Sequence, residues 1–550
     1  MKYLIIGGVA GGATTAARLR RNDEQAEIVM VERGPYISFA NCGLPYHLSG
    51  EIKSREQLLV TSAEAFGKRY ALRILTQTEA IFIDRQARQV RLKNLRDHSE
   101  TVESYDKLLL APGAEPIRPN IPGIASPRVF SLRNIPDLDR IMASLNSAAT
   151  RRAVVIGAGF IGVEVAESLR QRGLQVALLE GASQVLAPFD PEMAAMLQAT
   201  LEDNQIDLHL ADSVVEIENS KDCAVIHLHS GKRIDADLIL LAIGVRPETA
   251  LAREAGLETG CTGGIKVDER LQTSDANIFA VGDAIEVSHF VTGHPCLIPL
   301  AGPANRQARH AADTMSGAHC RTYPGTQGTA IIKVFDHAAA STGLNEKQLR
   351  ASGTEYLTTI THSSSHASYY PGAMPVCIKL LYKPDGEILG AQVVGKDGVD
   401  KRIDVIATVL RNQGKVRDLA KLELAYAPPF GSAKDPVNTA GYVASNVLEG
   451  AFAPITWDRI AGLPLDTVQL LDVRTAAEIH NGAIPGAMHI ELDTLRTRLG
   501  ELDPARPVVV YCQVGLRGYL ASRILSQNGY HDVRNLTGGY ATWLAAQRYA

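Results

Sequence analysis

The sequence predicts an α/β protein of several domains, and three observations support this prediction. The chain has 550 residues, too many for one hydrophobic core and enough for three or four domains. Two apolar runs with the character of buried strands, at residues 4–6 and 153–156, lead directly into glycines. A third, at residues 508–511, ends at a cysteine. A strand followed by a tight turn and a helix is the repeating unit of α/β proteins.

Composition narrows the class of protein. A net charge of −4 and a hydrophobic content of 45% are typical of a soluble globular protein and argue against a nucleic-acid partner. No apolar run approaches the roughly 18–20 residues that span a bilayer, so no membrane partner is expected. The cysteines lack CxxC spacing, which argues against a disulfide framework or metal site and for a reducing cytoplasm. They are Cys42, Cys223, Cys261, Cys296, Cys320, Cys377 and Cys512.

The first glycine-rich turn follows the N-terminal strand. Residues 7–12 read Gly-Gly-Val-Ala-Gly-Gly, a helical stretch follows, and a second strand ends at Glu32. Such a turn aims backbone N–H groups and the positive end of a helix dipole at a pyrophosphate. Glu32 is then placed to hold a ribose hydroxyl. Val9 stands where the strict GxGxxG pattern has its second glycine, so we expect a slightly altered backbone approach.

The second turn, within residues 151–181, keeps the strict pattern. It reads Gly157-Ala158-Gly159-Phe160-Ile161-Gly162, and the next strand ends at Glu180. An acidic residue there accepts from a free ribose 2′-OH and repels a 2′-phosphate, which favours NADH over NADPH. A cation brought close by the fold would still admit NADPH. Two such turns predict two Rossmann-like domains.

Further strands end in tight turns around residues 108–113, 240–247 and 278–283, and Asp283 is suited to a flavin's ribityl chain or pyrophosphate. With these motifs, residues 1–450 resemble the flavoprotein pyridine nucleotide-disulfide oxidoreductases. The resemblance implies FAD on the first and last motifs and NADH on the middle one. The FAD positions it implies are Gly7, Ala10, Gly11, Gly12, Glu32, Arg33, Asn41, Ala111, Pro112, Gly113, Gly282, Asp283, Leu300 and Ala301. Those implied for NADH are Gly157, Gly159, Phe160, Ile161, Gly162, Glu180 and Gly244.

Cys42 has no second cysteine nearby, since His47 stands five positions later. It must therefore react as a single thiol, and a flavin, a helix start and Asn41 are expected to stabilise its thiolate. The pattern Ser-Phe-x-x-Cys-x-x-Pro-Tyr from Ser38 resembles the coenzyme A-disulfide reductase branch, which includes persulfide reductases and grades into NADH oxidases and peroxidases. Spacings of four and three place three residues from Thr14 on one helix face, although a solvated basic face gives the same spacing. The coenzyme A contacts that the resemblance implies are Thr14, Arg18, Arg21, Ser38, Asn41 and Lys434.

Residues 326–446 have the pattern of an α+β domain that resembles the dimerisation domain of the same branch. The resemblance implies a homodimer in which tyrosines reach the partner's active site. Tyr426 is one candidate, and Tyr369 is favoured over Tyr370 for the other by its spacing to Tyr426. A tyrosine that only packs in the core or the interface is the alternative reading.

The C-terminal part resembles a rhodanese domain. Its strand at residues 508–511 stops at Cys512, and a helix begins after Arg517. Backbone N–H groups of such a loop converge on the sulfur, and a helix N-terminus favours a thiolate. The resemblance makes Cys512 the sulfur carrier, with Arg517 beside the persulfide. The predicted domains are FAD-binding (1–148 and 260–325), NADH-binding (149–259), dimerisation (326–446), linker (447–463) and rhodanese (464–550).

Three functions are compatible with these motifs. The first is FAD-dependent, NADH-driven reduction of coenzyme A persulfide, polysulfide or coenzyme A disulfide at Cys42, while the rhodanese domain handles sulfane sulfur. The second is an NADH oxidase or peroxidase in which Cys42 cycles through a sulfenic acid. The third is a redox sensor or sulfur carrier with a structural flavin, which the intact nucleotide site at Glu180 disfavours.

Overall fold

A computed structural model describes residues 1–147, 149–319 and 322–549, so Cys320 lies outside the described residues. The chain divides into two compact units. The first contains Met1–Ser183 and Ile206–Gly328, and the second contains Gln184–Gln205 and the chain from Thr329 onward. Within the described ranges, no helix combines the length and the apolar character that crossing a bilayer requires.

The first sheet of the N-terminal unit is parallel, and its central strands are buried on both faces, as in other parallel sheets. Its strands, in spatial order, are Ile278–Ala280, Lys107–Leu110, Lys2–Ile6, Glu27–Glu32 and Arg73–Thr76. The helix Ala10–Asn22 leaves the first glycine turn and packs beside the helix Ala301–Met315, where Thr15 Oγ1 donates to the Ala308 carbonyl at 3.3 Å. This is the predicted Rossmann-like arrangement.

The second sheet of this unit is also parallel. Its strands are Ile206–His209, Gln175–Leu179, Arg152–Ile156, Leu238–Leu241 and Val129–Ser131. Smaller sheets contain Thr78–Asp84, Gln89–Asn94 and Glu100–Ser104; Val214–Asn219, Ala224–Leu228 and Arg233–Ala236; Ala114–Pro116 and Val245–Pro247; and Ile265–Lys266, Ile285–Ser288 and Pro295–Cys296. The other helices are Leu44–Ser49, Ala63–Tyr70, Ile135–Leu145, Phe160–Gln171 and Ala250–Glu254.

The second unit begins with an antiparallel sheet covered by helices, which fits the predicted α+β domain. Its strands, in order, are Ala330–Val334, His337–Gly343, Ile388–Gly395, Pro375–Tyr382 and Leu357–Ser364. Its helices are Glu346–Ala351, Val399–Arg411, Val416–Lys421 and Pro436–Leu448. The helix Pro191–Asp203 also belongs here, although it lies within the predicted NADH-binding range, because its buried acids Asp190 and Glu192 bond to Lys379.

A parallel sheet completes the second unit. Its strands are Ala453–Ile455, Val533–Leu536, Val508–Tyr511, Gln469–Asp472 and Met488–His489, and its helices are Ala476–His480, Leu492–Arg498, Leu516–Ser526 and Gly539–Gln547. The structure differs from the predicted linker 447–463, since part of that segment forms the edge strand and Ile460 is buried. Three residues suffice to pair with an existing edge, and so short a run gives little sequence signal.

Candidate active site

The first glycine turn is closed by contacts that only glycine permits. Gly7 has φ +101°, and a Cβ there would lie 2.1 Å from the Ala111 carbonyl oxygen. A Cβ on Gly12 would lie 1.8 Å from the Gly7 carbonyl oxygen. The Glu32 carboxylate accepts the Gly8 N–H at 2.7 Å and another backbone N–H, two residues after Glu32, at 2.6 Å. Glycine and acid together fix the shape of this turn.

The second turn repeats this geometry. Gly157 has φ +102°, and a Cβ on Gly162 would lie 1.8 Å from the Gly157 carbonyl oxygen. The Glu180 carboxylate accepts two backbone N–H groups, at 2.8 and 2.9 Å. Because each carboxylate oxygen has a second lone pair, Glu180 can still accept a ribose hydroxyl.

The two glycine turns, and the end of the strand Ile278–Ala280 just before Asp283, fit dinucleotide cofactors. A Cβ on Gly159 would meet nothing within 4 Å, so the turn is open where a pyrophosphate approaches. Val9 occupies the equivalent position of the first turn. Among the described residues, desolvation and the charge of Arg133 act on the Asp283 carboxyl group, and no hydrogen bond to it is found. Burial raises its pKa, while Arg133 acts in the opposite direction. A half-buried acid without a protein partner is suited to a hydroxyl group of a flavin.

The other predicted cofactor residues lie at the same strand ends. Arg33 forms an ion pair with Glu248 at 2.8 Å. The rest follow a parallel strand or begin a helix: Ala10, Gly11, Ala111, Pro112, Gly113, Phe160, Ile161, Gly244, Gly282, Leu300 and Ala301.

Cys42 is an exposed free thiol just before the short helix Leu44–Ser49. Its sulfur lies 4.0 Å from Asn41 Oδ1. The pKa of the Cys42 thiol is raised, first by desolvation of the partly enclosed sulfur and then by the negative charges of Glu164 and Asp283. A backbone hydrogen bond lowers it, but to a smaller extent. The protein groups alone therefore favour the thiol, in contrast to the expected stabilisation of the thiolate by Asn41 and the helix start.

Sequence reasoning missed Glu164, which lies on the helix Phe160–Gln171 beside the cysteine segment. Tyr46 Oη donates to Glu164 Oε1 at 3.0 Å. Burial raises the pKa of Glu164, with the Tyr46 hydrogen bond opposing. In the sequence, Glu164 is visible only as an acidic residue on a helix that otherwise packs inward. This pattern does not identify Tyr46 as its partner.

The predicted coenzyme A face is only partly open. Thr14 Oγ1 donates to Asn305 Oδ1 at 2.7 Å. Arg18 forms a two-point ion pair with Asp313, at 2.6 and 3.1 Å, whereas Arg21 on the same helix is exposed. The shared helix face is present as predicted, but the guanidinium of Arg18 is engaged within the protein.

Near Cys42, Ser38 adopts φ +49°, in the left-handed region. Its backbone N–H donates to the Gly8 carbonyl at 2.8 Å. This conformation is sparsely populated for a non-glycine residue. The hydrogen bond links the start of the cysteine segment to the first glycine turn.

In the second unit, Tyr369 and Tyr426 join their hydroxyl groups at 2.9 Å, and both side chains are exposed. Tyr370 instead packs its ring edge-on against His366, with 5.8 Å between centroids. The fold therefore pairs Tyr426 with Tyr369, the tyrosine favoured by spacing.

A buried ion pair fixes the segments that carry these tyrosines. Arg402 Nη2 donates to the Ser365 carbonyl at 2.6 Å and to Asp435 Oδ2 at 3.0 Å. Both charged side chains are almost completely buried. Lys434, the predicted coenzyme A contact, is exposed next to Asp435.

Cys512 is buried at the end of the strand Val508–Tyr511. The backbone N–H of Gly515 donates to its sulfur at 3.1 Å, and this return of the chain requires φ +111° at Gly515. The Tyr540 N–H donates to the Cys512 carbonyl at 2.8 Å, so the helix Gly539–Gln547 also contacts this loop. Of the backbone N–H groups predicted to converge on this sulfur, the structure shows that of Gly515.

The arginines near Cys512 are paired with acids. Arg517 makes two hydrogen bonds to Glu478, at 2.7 and 2.5 Å, and this pairing is the first cause of lowering the pKa of Glu478 to about 2. The pKa of Arg517 is raised first by Glu478 and, to a smaller extent, by Cys512. Arg474 is buried against Asp472 at 2.8 Å and lies over the Tyr540 ring.

Comparison with known families agrees with this architecture. The pyridine nucleotide-disulphide oxidoreductase model matches residues 1–308, its dimerisation domain matches 329–436, and the rhodanese-like domain matches 458–546. The chain therefore belongs to the pyridine nucleotide-disulphide oxidoreductase family, a family of enzymes that use FAD and NAD(P)H.

Individual relatives show which members of the family this chain is similar to. The Bacillus anthracis CoADR-RHD structure is 47% identical with a TM-score of 0.97, covering 100% of this chain and 98% of that one. The NAD-dependent persulfide reductase structure from A. fulgidus is 37% identical with a TM-score of 0.92, covering 99% and 100%. A coenzyme A disulfide reductase of Staphylococcus haemolyticus is 33% identical over 81% of this chain and 100% of its own length. An NADH oxidase of Methanocaldococcus jannaschii is 34% identical over 80% and 98%.

Proposed function

We propose that this protein uses NADH to reduce coenzyme A persulfide, polysulfide and coenzyme A disulfide, and that its rhodanese-like domain handles the sulfane sulfur. One observation carries the proposal. The same chain holds an exposed single thiol, Cys42, in the unit with two dinucleotide cradles, and a second, buried thiol, Cys512, whose sulfur accepts the Gly515 N–H. Two solved relatives that match nearly the whole chain support this assignment.

The chemistry at Cys42 requires a substrate that brings the second sulfur. The Cys42 thiolate attacks the coenzyme A sulfur of a persulfide or disulfide, forms a mixed disulfide and releases hydrosulfide or thiol. Bound FAD supplies the two electrons, derived from NADH, that then free coenzyme A and regenerate the thiolate. Desolvation of the sulfur, followed by the negative charges of Glu164 and Asp283, raises the pKa of the Cys42 thiol in the protein alone.

The remaining residues hold the substrate and the leaving group. Ser38, Asn41, Thr14, Arg21 and Lys434 contact coenzyme A. Arg18 supports the same face through Asp313.

The paired hydroxyl groups of Tyr369 and Tyr426 reach the partner's active site in a homodimer, where they donate a hydrogen bond or proton to the departing sulfur.

The protein acts in a reducing cytoplasm, which is supported by the free thiols of all six cysteines among the described residues.

At the rhodanese-like site, Cys512 accepts sulfane sulfur as a persulfide within the loop N–H groups. Arg517 and Glu478 keep that loop closed through their ion pair. Coenzyme A, with its long pantetheine arm, then carries the sulfur to Cys42. Direct transfer between the two cysteines is the alternative route.

The test is anaerobic NADH oxidation with coenzyme A persulfide, together with the intact mass of the oxidised holoenzyme before and after dithiothreitol. We expect a reducible adduct of coenzyme A mass that is absent from Cys42→Ser. Cys261→Ser is the matched control, because Cys261 is also an exposed free thiol. A Cys42 that carries only added oxygen under every loading condition would overturn the proposal.

An NADH oxidase or peroxidase is the second candidate. The observation that favours it is the Arg18–Asp313 pair, which removes one cation from the predicted coenzyme A face. In that case NADH-dependent oxygen or peroxide consumption would persist unchanged after removal of residues 451–550.

A further inference from the structure

The strand Leu357–Ser364 forms one edge of the antiparallel sheet in the dimerisation domain. An edge strand presents backbone N–H and C=O groups that no neighbouring strand pairs. Here the hydroxyl group of Thr537, from the rhodanese-like domain, accepts the Ile360 N–H at 2.7 Å and donates to the Ile360 carbonyl at 3.3 Å. Both side chains are buried, and both residues belong to the second compact unit. One hydroxyl group therefore fixes the rhodanese-like domain to this edge.

A second contact lies two residues further along the strand. His362 Nε2 and Thr542 Oγ1 are 2.8 Å apart. Burial lowers the pKa of His362 to about 4, so its ring is neutral at pH 7 and makes this hydrogen bond without bringing a charge into the interface. Between the two contacts the chains pack closely, since a Cβ on Gly538 would lie 2.9 Å from Ile360 Cγ2. The strand thus contacts both ends of the segment 537–542.

The segment 537–542 in turn holds the loop that begins at Cys512. It turns into its helix at Gly539, which has φ +61°, and a Cβ there would lie 2.5 Å from the Cys512 carbonyl oxygen. The next two backbone N–H groups donate to the carbonyls of Cys512 and Gln513, at 2.8 and 3.0 Å. The position of this loop is therefore set by a segment that is itself fixed to the dimerisation domain.

We propose that the edge strand Leu357–Ser364 positions the Cys512 loop through Thr537, so that sulfur chemistry at Cys512 depends on the dimerisation domain. The proposal rests on the proposed function, because it assigns a positioning residue to the same site. Thr537 acts through the backbone contacts of its segment with the loop, and the loop then returns the Gly515 N–H to the Cys512 sulfur. Loss of the Thr537 hydroxyl group leaves the buried Ile360 N–H unpaired, which favours displacement of the segment.

The test compares Thr537→Val with Thr537→Ser in the full-length holoenzyme without NADH. Sodium tetrasulfide is the sulfur donor, and peptide mass follows persulfide formation at Cys512. We expect Thr537→Val to load Cys512 about 10–100-fold more slowly, because valine keeps the shape of threonine but releases the loop by a fraction of an ångström or more. Thr537→Ser keeps the hydroxyl group and should load at close to the unsubstituted rate. Thr361→Val is the matched control, since it removes a buried hydroxyl group of the same strand whose bond, to the Ile378 carbonyl at 3.5 Å, stays inside the dimerisation domain.

Hydrogen–deuterium exchange measures the positioning without any sulfur chemistry. Thr537→Val should speed exchange in residues 512–516 several-fold while the strand Val508–Tyr511 keeps its protection. His362→Leu, at the second contact, should have the same effect to a smaller extent, and Thr361→Val should have none. Faster exchange throughout the rhodanese-like domain would indicate a general loss of stability and would contradict a positioning role.

Unchanged loading of Cys512 in Thr537→Val would overturn the proposal, as would equal slowing by Thr537→Ser or by Thr361→Val. If the unsubstituted protein does not load sulfur but Thr537→Val still frees residues 512–516, the proposed function of the rhodanese-like domain is wrong and the positioning is supported. The two failures are therefore distinguishable.

Discussion

Lys379 is the charged group whose removal should weaken the second unit most. Its ammonium group is fully buried and lies 2.8 Å from both Asp190 Oδ2 and Glu346 Oε1, and it also bonds to Glu192. Burial lowers the pKa of Lys379, but the three carboxylates outweigh that effect and raise it. Trp457 Nε1 donates to Glu192 Oε2 at 3.1 Å, so the start of the rhodanese-like domain is tied to the same cluster.

Replacement of Lys379 by Met would leave buried carboxylates without their cation. Removing one partner of a buried ion pair costs about 3–5 kcal/mol of unfolding free energy. In domains of roughly 150–250 residues, each kcal/mol shifts the melting temperature by about 2–4 °C. We therefore expect Lys379→Met to melt about 6–20 °C lower at pH 7. The difference should shrink at pH 5, because the unpaired carboxylates then take up protons.

Thermal unfolding of the holoenzyme followed by circular dichroism measures this change. Lys383→Met is the matched control, since Lys383 pairs with Glu387 at 2.7 Å at a partly exposed position. An exposed pair contributes at most about 1 kcal/mol. Equal melting temperatures for Lys379→Met and Lys383→Met would refute the view that the cluster holds this unit together.

Three further changes test the catalytic geometry. Glu164→Gln removes a negative charge that, after desolvation, raises the pKa of Cys42, so the pH profile of iodoacetamide inactivation should move to lower pH; no shift, or an alkaline one, contradicts this. Glu180→Ala removes the acid that repels a 2′-phosphate and should raise kcat/KM for NADPH about tenfold relative to NADH; an unchanged ratio in steady-state assays argues against that role. Tyr426→Phe breaks the tyrosine pair and should lower turnover of coenzyme A disulfide about 10–100-fold without slowing flavin reduction by NADH, whereas Tyr370→Phe should leave both rates unchanged.

The fold could be predicted where the backbone itself demands particular residues. Gly7 and Gly157 occupy left-handed conformations against a neighbouring carbonyl, so any functioning turn of this kind shows glycine at those positions. Glu32 and Glu180 are equally visible because they end the following strand at a fixed spacing. The loop at Cys512 could also be predicted from the sequence, because a strand end and a helix start define it.

The rest depends on partners that are distant in the chain. Arg18 has the same helical spacing whether it faces solvent or pairs with Asp313, which is 295 residues away. Tyr46 and Glu164 are 118 residues apart, so neither of their sequence motifs predicts the hydrogen bond between them. The helix Pro191–Asp203 follows a dinucleotide motif in sequence but is held in the second unit by its acids.

The surroundings of Cys42 disfavour an anion, and this bears on why coenzyme A suits its proposed role as carrier. Glu164 and Asp283 place negative charge near Cys42. Coenzyme A separates its phosphates from its sulfur by an uncharged arm. Recognition of charge can therefore take place away from the reacting atoms, at exposed cations such as Arg21, while the sulfur enters a site that repels competing dianions.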